Sequence, residues 1–270
     1  MTAGVSSYHI SAKYYDDFYF LKTDGADQVF YIELAKQYGG PVLELACGTG
    51  RVLLPIAQQG IAIHGVDSSV PMLDVLNRKL KSEPKDVCEL ISIMSGDMHT
   101  FRSNRKYPLV IIPFLPMQQM YTVEDQLSAL NTAAFHLDDG GVFAFDIHFP
   151  SLEWQHELIG AGTGDEFLEL RWRPEWDRSK IIHRYFRKES VDKINQTFNA
   201  TLIFRTFAGE NLVNEEAEPF KMCWYTYPQL RALFMLAGLE VVEEYGSFDK
   251  TPLDNTAEKM IFLLRKAAEL

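Results

Sequence analysis

Apolar positions along the 270-residue chain follow two rhythms, one helical and one of short unbroken runs. Between residues 11 and 38 the helical rhythm dominates. Tyr14, Tyr15, Phe18 and Tyr19 recur at i, i+1, i+4 and i+5, and Val29, Phe30, Ile32, Leu34 and Ala35 supply the apolar surface of a second helix that Asp27 could cap. The run Val42-Leu43-Glu44-Leu45 then gives way to a turn of small residues, Ala46-Cys47-Gly48-Thr49-Gly50. Helical spacing follows from Arg51 to Ala57, and a second run from Ile61 leads through Gly65 to Asp67. This order predicts strand, glycine turn, helix, strand: one βαβ unit. Downstream the same alternation predicts a helix over 70–81 with Pro71 in its first turn, a strand over 89–94 and a buried strand over 107–114. A helix over 124–137 and a strand over 142–147 come next. It resumes with a helix from Thr226 to about Ala237, with Pro228 at its start and Gly238 past its end, and strands over 239–245 and 259–265.

Between these stretches the pattern changes. Residues 151–164 hold Gly160, Gly162 and Gly164 and suggest a hinge. Over 165–223 the period becomes two: Leu168, Leu170 and Trp172 alternate with Glu169, Arg171 and Arg173, as do Ala200, Leu202 and Phe204 with their neighbours. Turn sequences at 178–180, 192–193 and 208–211 divide the segment into three or four antiparallel strands with one buried face. It interrupts the strand–helix alternation and therefore reads as an insertion. Its first half carries Arg171, Arg173, Arg178, Lys180, Arg184, Arg187 and Lys188, which are either solvated strand faces or a site for an anionic group.

The glycine turn constrains the chemistry. Gly48 and Gly50 let the backbone bend and approach a ligand, and an acid ending the second strand, Asp67, suits a ribose diol. A dinucleotide loop would carry a third glycine where Leu53 stands, and no Gly-Lys-Ser/Thr occurs to make a phosphate loop. Glu44, ending the first strand, would repel a pyrophosphate and attract a cation. S-adenosylmethionine, with a sulfonium and an ammonium and no phosphate, fits better than NAD. A plain turn without ligand is the alternative.

The residues ELACGTGR, then GVDSS and Pro71-Met72-Leu73, resemble the first motif and the following acidic motif of class I S-adenosylmethionine-dependent methyltransferases. The resemblance spans roughly residues 10–150 and returns over 224–266. It implies an α/β fold with a Rossmann-like seven-stranded sheet, mostly parallel with the last strand antiparallel. Residues 1–150 and 224–270 would form this core with an N-terminal helical lid, and 165–223 would be an inserted antiparallel β-sheet. It also implies that Glu44, Ala46, Gly48, Gly50, Arg51, Asp67, Ser68 and Met72 contact the cofactor. Asp97 would accept from the adenine amino group and Met98 would pack on its ring, with Pro113 and Phe114 near the sulfonium. Tyr15 and Tyr19 belong to a segment that resembles the family's lid, or to a merely packed helix; Tyr15 is also a candidate catalytic residue. Gln118 or Gln119 either orients a substrate or bonds to backbone. His148, at the exit of the fifth strand, is a candidate base or a structural hydrogen-bonder.

Composition narrows partners. The formal net charge of −11 argues against nucleic acid, whose binding rests on phosphate attraction. No apolar run could span a bilayer and the N-terminus lacks a charged-then-apolar leader, so the expectation is a cytoplasmic protein. Cys47, Cys88 and Cys223 form no C-x-x-C pair, so no metal site or disulfide framework is expected. The inserted strands resemble those of glycine and amino-sugar N-methyltransferases, and are expected to cover a small-molecule acceptor and offer a homodimer contact. N-methylation is favoured; O-methylation and a non-catalytic S-adenosylmethionine-binding protein are the alternatives.

Overall fold

The computed structural model describes residues 8–160 and 162–268; the expected core therefore includes positions, 1–7 among them, outside the described residues. A 3₁₀ turn, Ser11–Lys13, leads into helices α1 (Tyr15–Thr23) and α2 (Ala26–Tyr38). The core follows as β1 (Val42–Leu45), α3 (Leu53–Ala57), β2 (Ile63–Asp67), α4 (Val70–Leu80), α5 (Lys85–Cys88) and β3 (Ile91–Ser95). It continues with β4 (Tyr107–Ile112), α6 (Val123–His136) and β5 (Leu137–His148). Thr122 caps α6, its hydroxyl accepting from the Asp125 amide at 3.1 Å.

Residues 151–164, expected as a hinge, instead contain helix α7 (Leu152–Gly160). The three glycines drew attention from a start signal: Ser151 accepts from the Trp154 amide at 3.1 Å, and Trp154 and Leu158, one turn apart, pack toward Phe198 and Trp224. The inserted strands are β6 (Glu166–Trp172), β7 (Lys180–Asp192), β8 (Thr197–Ala208) and β9 (Asn211–Cys223), joined in simple antiparallel order. Helix α8 (Tyr227–Leu236) and strands β10 (Leu239–Tyr245) and β11 (Lys259–Lys266) complete the core.

The large sheet has the order β10-β11-β5-β4-β1-β2-β3. Strands β1 to β5 are parallel, and β11 inserts antiparallel between β5 and β10, as the resemblance implied. Strand order reverses between β1 and β4, and in open α/β sheets ligands bind in the crevice beyond the carboxyl ends at that switch. Helices cover both faces. Phe30, Tyr31 and Leu34 of α2 pack with Val42, Leu109 and Ala144, while Leu130 and Phe234 pack on the opposite face with Leu43, Val110 and Phe145. The inserted sheet stands over the carboxyl edge. Its Trp172, Ile182, Leu202 and Phe204 enclose Tyr14 of the N-terminal segment.

Candidate active site

The glycine turn opens immediately after β1. Ala46, Gly48 and Gly50 all have left-handed backbones, with φ of 60°, 53° and 75°. A Cβ on Gly50 would lie 2.4 Å from Leu76, so only glycine fits there. Gly48 differs: a Cβ would meet nothing within 4 Å, so its bare backbone faces open space. Its amide donates to Asp67 Oδ2 at 2.7 Å, and the Ser69 amide donates to Asp67 Oδ1 at 2.7 Å. Asp67 thus ties the turn to the end of β2. Burial pushes its carboxyl up, and the backbone amides pull it back.

Glu44 is 3% exposed and its Oε2 has no hydrogen-bond partner among the described residues. Burial pushes the carboxyl well above the usual carboxylate range, against the pull of Arg51 and Lys79. A buried polar oxygen without a partner costs about 1–3 kcal/mol, and a donor reaching Glu44 Oε2 would recover it. A bare glycine backbone, an aspartate at the end of β2 and an unpartnered buried carboxylate oxygen suit a nucleoside bearing a cationic amino-acid tail. They do not suit a phosphate.

Several expected cofactor residues are already engaged. The Arg51 guanidinium, 8% exposed, is paired with Asp27, its Nη1 3.0 Å from Asp27 Oδ1. Asp27 therefore does not cap α2, whose N-cap is Gly25. Breaking one side of so buried a pair costs about 3–5 kcal/mol, which makes Arg51 a strut behind the turn. Asp97 is exposed and its carboxylate holds the His99 amide at 2.8 Å and the His99 ring, while Met98 is buried beside it. Met72 is buried in α4, and Ser68 follows Asp67.

The expected strand over 107–114 ends at Ile112, so Pro113 and Phe114 belong to the loop. Phe114 and Leu115 both take left-handed backbones, with φ of 65° and 71°, which cost non-glycine residues of order 1–3 kcal/mol each. The Phe114 ring lies 4.2 Å from the Tyr19 ring and 4.8 Å from the Arg51 guanidinium. Tyr15 stacks edge-on against Tyr19 at 4.3 Å and meets Tyr8 at 6.3 Å. Asp16 of the same helix bonds to the Thr49 hydroxyl and to Lys79 Nζ at 2.6 Å. The N-terminal segment is thereby fastened across the glycine turn. Its other side is held by the inserted sheet: Glu218 accepts from the Ile10 and Ser11 amides at 2.9 and 3.0 Å, and Glu216 engages Lys13 and Tyr14.

Between α1 and the inserted sheet lies a small pocket lined by Tyr8, Tyr15, Phe18, Tyr19, Phe204 and Arg184, among others. Arg184 lies 3.8 Å above the Phe18 ring and is paired with Glu169. Burial pushes the Tyr8 and Tyr15 phenols well above their usual range, so both stay protonated at neutral pH. His148 does not line this pocket; its ring packs 5.2 Å from Trp154 of α7. Gln118 is spent on backbone, bonding the Cys223 carbonyl and the His148 amide at 2.9 and 2.8 Å, while Gln119 reaches the Tyr8 hydroxyl. Tyr8, Tyr31, Asp146 and Glu218 were assigned no role by the sequence, and Asp27 was expected only as a helix cap. Only Asp146, a lone acid in the apolar run Val142–Ile147, left a visible signal.

A family model described as "Methyltransferase domain" matches residues 42–141, from β1 into β5. That span carries the glycine turn, Asp67 and the loop after β4. The chain carries a methyltransferase domain and is an S-adenosylmethionine-dependent methyltransferase. This methyltransferase is 24% identical over 232 residues, 84% of each chain, to the cypemycin N-terminal methyltransferase of a Streptomyces species. Its fold is similar to that of an S-adenosylmethionine-dependent methyltransferase from Clostridium acetobutylicum, with a TM-score of 0.74 at 19% identity over 97% of this chain and 99% of that one. It is also similar to an S-adenosylmethionine-bound amino pentose methyltransferase from Micromonospora echinaspora, with a TM-score of 0.66 at 19% identity over 91% of each chain. S-adenosylmethionine is its cofactor. No helix among the described residues is long and apolar enough to cross a membrane.

Proposed function

We propose that this enzyme methylates an amine of a small molecule, which enters when the N-terminal segment and the inserted sheet part, since the space of about 10 Å³ left between them holds no more than a water. The observation that carries the reading is the character of the pocket there. Its described lining holds phenols, phenyl rings, Leu202, the Ser11 hydroxyl and a paired arginine, and neither a histidine nor a carboxylate. A hydroxyl acceptor needs a base to take its proton during attack, whereas an amine needs only to be neutral. An apolar wall favours the neutral amine, because desolvation disfavours its charged form.

In this reading Glu44 holds the cofactor's cationic tail, Asp67 its ribose, and Gly48 and Gly50 its close approach to the backbone. When bound, the cofactor supplies a methyl group on a sulfonium. Tyr8 or Tyr15, kept as a phenol, accepts an N–H of the acceptor and turns its lone pair toward the reaction. The lid and sheet exclude water and fix the approach, which supplies most of the rate. These residues would hold the neutral amine's lone pair in line with the methyl group that the bound cofactor would supply, and solvent would take the proton lost from the product ammonium. The relatives named for an N-terminal amine and for an amino pentose support an amine acceptor. Edge strand β6, with Phe167 and Leu168 about half exposed, supports the homodimer contact; a monomer in sedimentation would remove that part.

The test is methyl transfer from labelled cofactor to paired panels of amines and their hydroxyl counterparts. Label in amines, with Tyr15→Phe lowering turnover more than His148→Ala, is expected. Label confined to hydroxyls would refute the proposal.

A further inference from the structure

Asp146, near the end of β5, is fully buried, and its Oδ1 accepts two hydrogen bonds. One comes from the Tyr31 hydroxyl at 2.7 Å and the other from the Phe114 amide at 2.8 Å. Its Oδ2 has no partner among the described residues. Neither bond closes a secondary-structure element; both cross between elements. Tyr31 lies in α2, and Phe114 begins the left-handed pair that follows β4.

The second bond explains how that pair persists. Two consecutive non-glycine residues in the left-handed region need something outside the loop to hold them. An amide donating to a buried side-chain oxygen supplies it, because no water competes for the bond and breaking it would leave the amide unsatisfied. Turned this way, Phe114 places its ring between Tyr19 of the lid and Arg51 behind the glycine turn. Released, the backbone would relax toward φ < 0 and swing the ring away from both.

We propose that Asp146 is a positioning residue for methyl transfer: through the Phe114 amide it sets the ring that joins the lid to the cofactor turn. The proposal rests on the reading that this loop borders the cofactor. Asp146 itself touches the loop's backbone and Tyr31. Its effect reaches the reaction through Phe114.

The test uses the full chain and adenosylhomocysteine as probe, with calorimetry for affinity and amide hydrogen exchange at Phe114 and Leu115. Asp146→Ala is expected to weaken binding 10-fold or more and to remove protection at Phe114. Asp146→Asn, which keeps an oxygen acceptor at the same place, is expected to stay within threefold on both readouts. Tyr31→Phe removes only the other bond and is expected to leave affinity within threefold while lowering the melting temperature, which separates positioning from general support of the fold. If Asp146→Ala does not fold, Asp146→Glu, which displaces the carboxylate by one methylene, takes its place with the same expected loss. Unchanged affinity in folded Asp146→Ala or Asp146→Glu overturns the proposal, as does an equal loss in Tyr31→Phe. So does an equal loss in Asp146→Asn, which would make the charge itself the contributor. Failure of the wild-type protein to bind adenosylhomocysteine would instead sink the cofactor reading, so the two failures are distinct.

Discussion

Glu44→Gln should strengthen the free protein and weaken the cofactor complex, because one buried oxygen causes both effects. In the free protein Glu44 is 3% exposed and its Oε2 is unpartnered. Burial raises its carboxyl well above the ordinary range. A group whose folded pKa is raised binds more protons folded than unfolded, so stability falls as pH rises from the ordinary carboxylate range through the raised value, and is level above it. Glutamine cannot ionise and removes that slope. Its neutral amide is still imperfectly satisfied, so the net gain at neutral pH is about 1–2 kcal/mol. For a chain of this size that corresponds to roughly 2–8 °C in melting temperature. Cofactor binding changes in the opposite sense. A charge-assisted hydrogen bond contributes about 1.5–3 kcal/mol, so S-adenosylmethionine affinity should fall roughly 10- to 150-fold. Wild-type binding should also release protons below the raised pKa, since the cation favours the ionised carboxylate. Thermal unfolding from about pH 5 to 9 and calorimetric titration in buffers of different ionisation enthalpy read all three effects. A variant with the wild-type pH slope of stability, or with cofactor affinity within twofold, would refute the assignment of Glu44 to the cationic tail.

Asp67→Ala should weaken adenosylhomocysteine binding by about 1–3 kcal/mol in the same titration, since it leaves ribose hydroxyls unpaired and frees the Gly48 amide. Glu218→Ala removes the acceptor of the Ile10 and Ser11 amides, and hydrogen exchange there should rise roughly 10- to 150-fold; unchanged exchange would mean that Tyr14's packing alone holds the segment. His148→Ala should cost less than about tenfold in turnover, because the ring packs on Trp154 and does not line the pocket between α1 and the inserted sheet. A loss on the order of 10³-fold with intact cofactor affinity would point to a hydroxyl acceptor and a histidine base.

The seven-stranded core and its glycine turn were legible in the chain because their signals are local. A strand buried on both faces must be an unbroken apolar run apart from a residue such as Glu44, and a left-handed turn packed against Leu76 favours glycine. The inserted antiparallel strands were also legible, expected as three or four and found as four, since period-two alternation follows from a sheet with one covered face. Helix α7 was missed although its cap and its Trp154–Leu158 spacing were present, because nearby glycines suggested a hinge.

What the sequence could not decide is which polar groups find each other. Asp27 satisfies the rules for a helix cap as well as those for an ion pair, and only the approach of α2 to the glycine turn sends it to Arg51. Gln118 could serve a substrate or a backbone until β5 and β9 converge on it. His148 stands where a base would stand along the chain, yet α7 brings Trp154 to its ring. The left-handed backbone of Phe114 has no sequence signature, because it depends on a carboxylate 32 residues away. Local chemistry fixes an element's type through periodicity and backbone sterics. A polar side chain has many admissible partners, and the one it takes is set by long-range packing that brings one within reach and excludes water from the rest.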